Sequence, residues 1–165
     1  MIFIKWALFI ILLIAIAIAL AVLAGQFGML KGTAPTDLGV HDGRLKPPAM
    51  TPNSISSQAA LYPDHPQLLY ASIEPLPIID DATTTLARIR SIVKSMEGAK
   101  IIKSNEDYLY VQFTTKIMRF VDDAEFWFDP VDNVIQVRSA SRLGKSDLSV
   151  NRKRIEAIRA QLQSS

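Results

Sequence analysis

Residues Trp6 to Ala24 form an unbroken apolar run with no charge, proline or glycine. At about 1.5 Å of rise per residue, such a run makes a helix close in length to the ~30 Å hydrocarbon core of a bilayer. Thirteen of its nineteen residues are Leu, Ile, Phe, Val or Trp, and the rest are Ala. Leu, Ile, Phe and Val each favour insertion by roughly 0.3–0.6 kcal/mol at the helix centre. A core helix of a soluble protein would carry a polar stripe, which this run lacks. A cleaved signal would have a shorter apolar stretch, of roughly 7–15 residues, and a small-residue cleavage site. Val22-Leu23-Ala24 has the character of such a site, but Ile2, Phe3 and Ile4 lengthen the run further. The reading is an uncleaved single-pass anchor over residues 1–25, with the lipid bilayer contacting residues 6–24; a cleaved signal is the alternative. Lys5 on one side and Lys31, Arg44 and Lys46 on the other hardly separate the two orientations by the positive-inside rule. A five-residue N-terminal stub suits a signal-anchor, so the N-terminus is expected in the cytoplasm. The domain is then expected outside the cytoplasm.

The rest of the chain is long enough for one domain with its own core. Eighteen basic and sixteen acidic residues nearly balance, so no global charge argues for nucleic acid. Cysteine is absent, which excludes disulfides, thiolate catalysis and cysteine-ligated metals. His41 and His65 lack the spacing to carboxylates that marks a metal site, and no glycine-rich phosphate loop is present. No metal and no cofactor is expected.

Between residues 26 and 57 glycines and prolines recur (Gly28, Gly32, Pro35, Gly39, Gly43, Pro47, Pro48, Pro52), which predicts a partly extended tether. Residues 58–165 then read as an ordered domain. Leu69–Ile73 reads as a short strand. A helix capped by Asp80 or Asp81 runs to about Met96, with Leu86, Ile89, Val93 and Met96 on one face and Gly98 ending it. Strands follow at Lys100–Lys103, Tyr108–Thr115, Met118–Phe128 and Val134–Arg142, with Asp129 to Asp132 as the last turn. A C-terminal helix begins at Asp147 or Ser149, with Leu148, Ile155, Ile158 and Leu162 apolar. Short loops make the strands antiparallel, and two amphipathic helices cover one face. The fold class is α+β: a transmembrane helix, then a two-layer domain.

Charge is concentrated between Val121 and Arg154. Asp122, Asp123, Glu125, Asp129 and Asp132 form an acidic block; Arg138, Arg142, Lys145, Arg152, Lys153, Arg154 and Arg159 form a basic one, set against Asp147 and Glu156. Placing Phe120, Phe126 and Phe128 on the face of Ile135 and Val137 pairs even positions of one strand with odd positions of the other. With a loop at 129–132, Phe128 faces Asn133, Arg138 faces Asp123 and Arg142 faces Arg119. The opposite sheet face then reads as a solvated, salt-bridged surface. A sharper reading gathers Arg138, Arg142, Asn151 and Arg152 at the junction of strand and C-terminal helix, where backbone N–H groups and guanidinium forks suit an anion. Asp147 near the cap competes for the same N–H groups. Asp122 falls on the phenylalanine face, opposite Ser139 and near Ser141, as a buried carboxylate bonded by hydroxyls. A hydrolase would use Asp122 with Ser139 or Ser141, or His65 with a serine among Ser54, Ser56 and Ser57; no nucleophile-elbow glycines frame these.

The segment Arg138-Ser139-Ala140-Ser141-Arg142-Leu143-Gly144-Lys145-Ser146-Asp147-Leu148-Ser149-Val150-Asn151-Arg152, with Phe120 to Phe126 before it, resembles the DUF1499 family, and Pro52 to Gln58 resembles that family's N-terminal signature. The resemblance covers roughly residues 47–162. It implies a domain of unknown function, often found in bacteria behind membrane or export segments and also in plant plastids, so the resemblance makes a bacterial inner membrane, with the domain in the periplasm or another extracytoplasmic space, the expected setting. The signature usually carries a cysteine where this chain has Ser54, so no essential thiol is implied here. By resemblance the positions to watch are Asn53, Ser56, Ser57, Asp122, Asp123, Glu125, Arg138, Ser139, Ser141, Arg142, Gly144, Asp147, Asn151 and Arg152. The combined expectation is a non-catalytic binding or scaffolding domain in the cell envelope that meets an anionic lipid, a small anionic ligand or a membrane protein, and no nucleic acid. A structural subunit of a membrane complex is the alternative, and a small hydrolase the third.

Overall fold

The structure is a computed structural model that describes residues 2–164. Helix α1 (Ile2–Gln26) is long and apolar enough to cross a membrane, and its side chains from Phe3 to Leu20 touch nothing that buries them. Six strands form one antiparallel sheet: β1 (Ser54–Ser56), β2 (Leu76–Pro77), β3 (Ala99–Ser104), β4 (Tyr108–Thr114), β5 (Val121–Asp129) and β6 (Val134–Ser141). The order is β1-β6-β5-β4-β3, and β2 shares the free edge of β6 with β1. Helices α3 (Ala82–Ser95) and α4 (Val150–Gln163) lie on one face, and a single turn, α2 (Leu68–Ala71), packs beside β1. This is the expected α+β, two-layer arrangement.

The core forms where the two periodicities meet. Leu86, Ile89 and Val93 recur along one face of α3, and Ile155, Ile158 and Leu162 along one face of α4. They pack on Leu109, Val111 and Phe113 of β4, Ala124 and Phe126 of β5, and Ile135 and Val137 of β6, which alternate along their strands. Each large aliphatic or Phe side chain so buried contributes about 1.5–3 kcal/mol. Asp81 caps α3 by accepting a 2.8 Å bond from the Thr84 N–H. Gly98 follows with φ +73°, and a Cβ there would run into the Thr114 carbonyl, so the α3–β3 connection needs glycine twice over.

Four local readings are corrected. Leu69–Ile73 is no strand: residues 68–71 make a helical turn, begun where His65 Nδ1 accepts from the Gln67 N–H. β5 starts at Val121 because residues 115–120 form a loop, with Arg119 at φ +58° bonding back to Thr115, so Met118 and Phe120 lie off the strand. Leu148 is exposed just before α4 and takes no part in the core. The β5–β6 register is shifted by two residues: Glu125 faces Arg138, Asp122 faces Ser141 and Phe128 faces Ile135. Asp129 causes the shift. Its carboxylate accepts from Val131 N–H at 3.0 Å and caps the turn, so Asp129 stays in the sheet opposite Val134 and the loop is 130–133. Face parity is unchanged, but every cross-strand partner differs.

The second sheet face is not open to solvent. Residues 39–48, within the stretch read as a tether, lie across it. His41-Asp42-Gly43-Arg44 is a two-residue turn with φ +51° and +71° at its centre, the conformation that favours Asp-Gly. Gln58 holds this turn, accepting from Leu45 N–H at 2.8 Å and donating to the Gly43 carbonyl at 3.0 Å. Leu45 is buried against Tyr108 and Trp127.

Candidate functional site

Polar side chains are buried on both faces of β5 and β6, and they form two separate groups. On the helix side, Asn151 in the first turn of α4 is the hub. Its amide donates to Ser141 Oγ at 3.1 Å, to Asp147 Oδ2 at 2.8 Å and to the Asn53 carbonyl at 3.3 Å. Its carbonyl accepts from Ser139 Oγ and from Arg154 Nη1, the latter at 2.9 Å. Asn53 in turn donates to the Gly144 carbonyl at 2.8 Å. Gly144 sits at φ +94°, which suits glycine. Asp147 accepts from the N–H groups of Ser149 and Asn151 and from the Tyr70 hydroxyl. Burial raises the Asp147 carboxyl, but these hydrogen bonds outweigh it and hold it below the ordinary aspartate value.

This group corrects three expectations. The N–H groups at the start of α4 are occupied by Asp147, so they offer no anion site. Asp122 is buried as expected, but its partner is Arg154, at 2.6 Å, not a hydroxyl, and that guanidinium stacks 4.4 Å above the Phe113 ring. Arg152 donates to the carbonyls of Tyr70 at 2.6 Å and Ser72 at 2.8 Å, tying α2 to α4. Among the described residues, no serine hydroxyl bonds to Asp122 or to His65. Ser57 bonds Gln136 at 2.6 Å, Ser56 Oγ accepts from Gln58 N–H at 3.1 Å, and Ser54 Oγ accepts from Ala49 N–H at 2.7 Å. Ser54 thus pins the start of β1 to the covering segment. Among the described residues no cluster of three His, Asp or Glu is placed to hold a metal.

On the far face, Arg142 grips Asp123 with two 2.7 Å bonds, and Tyr110 donates its hydroxyl to the same carboxylate. Glu125 Oε1 accepts from Gly39 N–H and from the Tyr108 hydroxyl, both at 2.8 Å. Burial raises the Glu125 carboxyl in spite of these bonds and of Arg138. Arg138 is the exception to this economy. Only 5% of it is exposed. Among the described residues its single hydrogen bond runs from Nε to the Pro47 carbonyl at 3.3 Å. Nη1 stands 3.7 Å from Glu125 Oε2, too far to bond, and Oε2 accepts no hydrogen bond. Burial lowers the Arg138 pKa, with Glu125 and Asp123 opposing. The guanidinium borders a cleft of about 240 Å³ between the sheet and the covering segment, whose charged lining is Lys46, Arg138, Arg142 and Asp123.

Arg138, Arg142, Asn151 and Arg152 therefore do not form one surface. Three are committed to internal partners; among the described residues, neither terminal nitrogen of Arg138 makes a hydrogen bond. Lys46, Gly39, Tyr108, Tyr110, Tyr70 and Arg154 belong to these groups without having been singled out in the sequence. Tyr108 and Tyr110, alternating along β4 away from the core, carried a readable signal, and Arg154 stood in the basic block.

The arrangement is that of a small α+β domain, preceded by an apolar helix, whose sheet buries charge on both faces. The family model described as protein of unknown function (DUF1499) matches residues 44–162. The chain belongs to the DUF1499 family. The match begins at the turn that Gln58 holds. No curated protein and no solved structure is similar to the chain.

Proposed function

We propose that this protein is a membrane-anchored, non-catalytic binding module that takes a small anion, a carboxylate or phosphate group, on Arg138 under the covering segment. α1 is the retained anchor, and the domain stands outside the cytoplasm. The observation that carries the reading is Arg138: a buried guanidinium whose terminal N–H groups have no hydrogen-bond acceptor among the described residues and border a cleft. A planar fork of that kind suits a two-oxygen anion. Lys46, held at 2.7 Å by Asp37 on the rim, adds positive charge at the mouth. Asp123 contributes a carboxylate there, but Arg142 neutralises it.

The test uses the full chain in detergent, titrated with inorganic phosphate, sulfate and acetate at matched ionic strength. A ligand of the native state raises the melting temperature by mass action. The expected result is a saturable rise, reduced in Arg138→Lys and in Lys46→Ala. Lys46 lies on the rim, so its variant keeps the fold. No rise above a chloride control, or equal rises in wild type and both variants, overturns the reading. For the anchor, the intact mass of the membrane-extracted chain is expected to include residues 1–24, and protease added to spheroplasts with an intact inner membrane is expected to digest the domain.

A further inference from the structure

The end of α1 is docked on the sheet domain. Gln26 Nε2 donates to the Ile117 carbonyl at 2.8 Å. Gly25 is buried so closely against the Met118 carbonyl that a Cβ would collide with it. A few residues on, Gly32 packs on Arg142 and Leu143. The β4–β5 loop and the β6–α4 loop therefore sit beside the point where α1 leaves a bilayer.

Those loops and the turn after α1 expose apolar side chains. Phe27 is 83% exposed, Met29 74% and Ile117 60%, with Leu143 and Phe120 partly exposed beside them. Each lies in, or next to, a segment that contacts the helix end. Lys31, Lys116 and Lys145 are exposed in the same segments, and Lys116 lies 3.8 Å from Glu97. Large apolar side chains mixed with lysines are the composition of a surface that settles into the headgroup region of a bilayer.

We propose that this rim is a second membrane-contact surface: Phe27, Met29, Ile117, Phe120 and Leu143 enter the interface of the leaflet from which α1 emerges, and the lysines meet anionic headgroups. The occupant is the bilayer because the rim is continuous with the membrane helix. The inference rests on α1 lying in a membrane and is independent of the Arg138 cleft. It makes the domain an upright body with one fixed end towards lipid. The β5–β6 turn, at the other end of the nine-residue β5, stands roughly 30 Å away along the strand.

The chain has no cysteine, so a single introduced thiol is unique. Ile117→Cys, Leu143→Cys, Val131→Cys and Ile10→Cys are each made in the full chain, labelled with an environment-sensitive fluorophore and placed in nanodiscs of zwitterionic lipid with some anionic lipid. Quenchers carried on lipid at shallow depth report contact. The expected result is a blue-shifted, quenched label at Ile117 and Leu143 and a water-exposed, unquenched one at Val131, in the β5–β6 turn. Ile10 reports the anchor. Labels at Ile117 and Leu143 as wet as at Val131 overturn the inference, with the anchor still standing if Ile10 is lipid-embedded. Labels that are dehydrated but not quenched by lipid show a protein cover and overturn it as well.

Discussion

Arg142, just past the end of β6, reaches the middle sheet strand and closes a two-pronged ion pair on Asp123, with Nε 2.7 Å from Oδ2 and Nη2 2.7 Å from Oδ1. Both side chains are almost wholly buried. Parallel N–H···O bonds of this kind are geometrically specific, and the second bond is what lysine lacks. The pair ties the segment leading to α4 onto the face beneath the covering residues.

Removing one partner leaves the other charged and buried. Arg142→Ala is expected to cost about 3–5 kcal/mol, read from urea or thermal unfolding of the full chain in detergent. The double variant Arg142→Met, Asp123→Leu is expected to lose distinctly less than Arg142→Ala alone. A double variant as unstable as the sum of the singles contradicts this account of the pair.

Asn151 saturates five partners at once. Truncation strands several buried donors and acceptors, each at about 1–3 kcal/mol. Asn151→Leu is expected to lose about 3 kcal/mol or more. A loss below about 1 kcal/mol, measured by denaturant midpoint, shows that water replaces the side chain.

Gly98→Ala combines a positive φ with a collision on the Thr114 carbonyl. The expected cost is about 2–3 kcal/mol. Gly39 and Gly43 have open space where a Cβ would be. Gly39→Ala is therefore expected to cost less than Gly98→Ala, through backbone strain alone, and melting temperatures order the two.

Two buried carboxyls give stability opposite slopes in acid. The Asp147 value is depressed, so its contribution is complete above the unfolded aspartate value of about 3.9 and is lost as pH falls through the folded value. The Glu125 value is raised, so its contribution is greatest below the unfolded glutamate value of about 4.3 and declines as pH rises through the folded value. Unfolding midpoints between pH 3 and 7 test both signs. The deficit of Asp147→Asn is expected to shrink as pH falls below about 4. Glu125→Gln is expected to improve relative to wild type as pH rises above about 4.3. Parallel curves for either variant refute its assignment.

Elements with a strong period were legible in the residues. Nineteen apolar residues in a row make α1 plain; the spacing of Leu86, Ile89 and Val93 makes α3, and alternation makes β4 to β6 and their facing. What failed depended on single side chains. Asp129 could end the strand or begin the loop, and only its bonds to the turn amides decide the register. Residues 26–57 read as a partly extended tether because glycine and proline recur in them, yet Leu45 and the Gly39 N–H find partners far along the chain. The arginine cluster was legible as composition but not as a site. Asp123, the Tyr70 and Ser72 carbonyls and the Asn151 network absorb all of it except Arg138, and such pairings depend on register and loop path.

The bond from Gly39 N–H to Glu125 spans 86 residues, and it has a consequence for how the chain is made. At about 5–20 residues per second, the covering segment leaves the ribosome several seconds before Glu125 exists. The segment must wait until β5 and β6 pair. Asp123, Glu125 and Arg138, once made, stay hydrated until the pairing of β5 with β6 lets that older segment close over them.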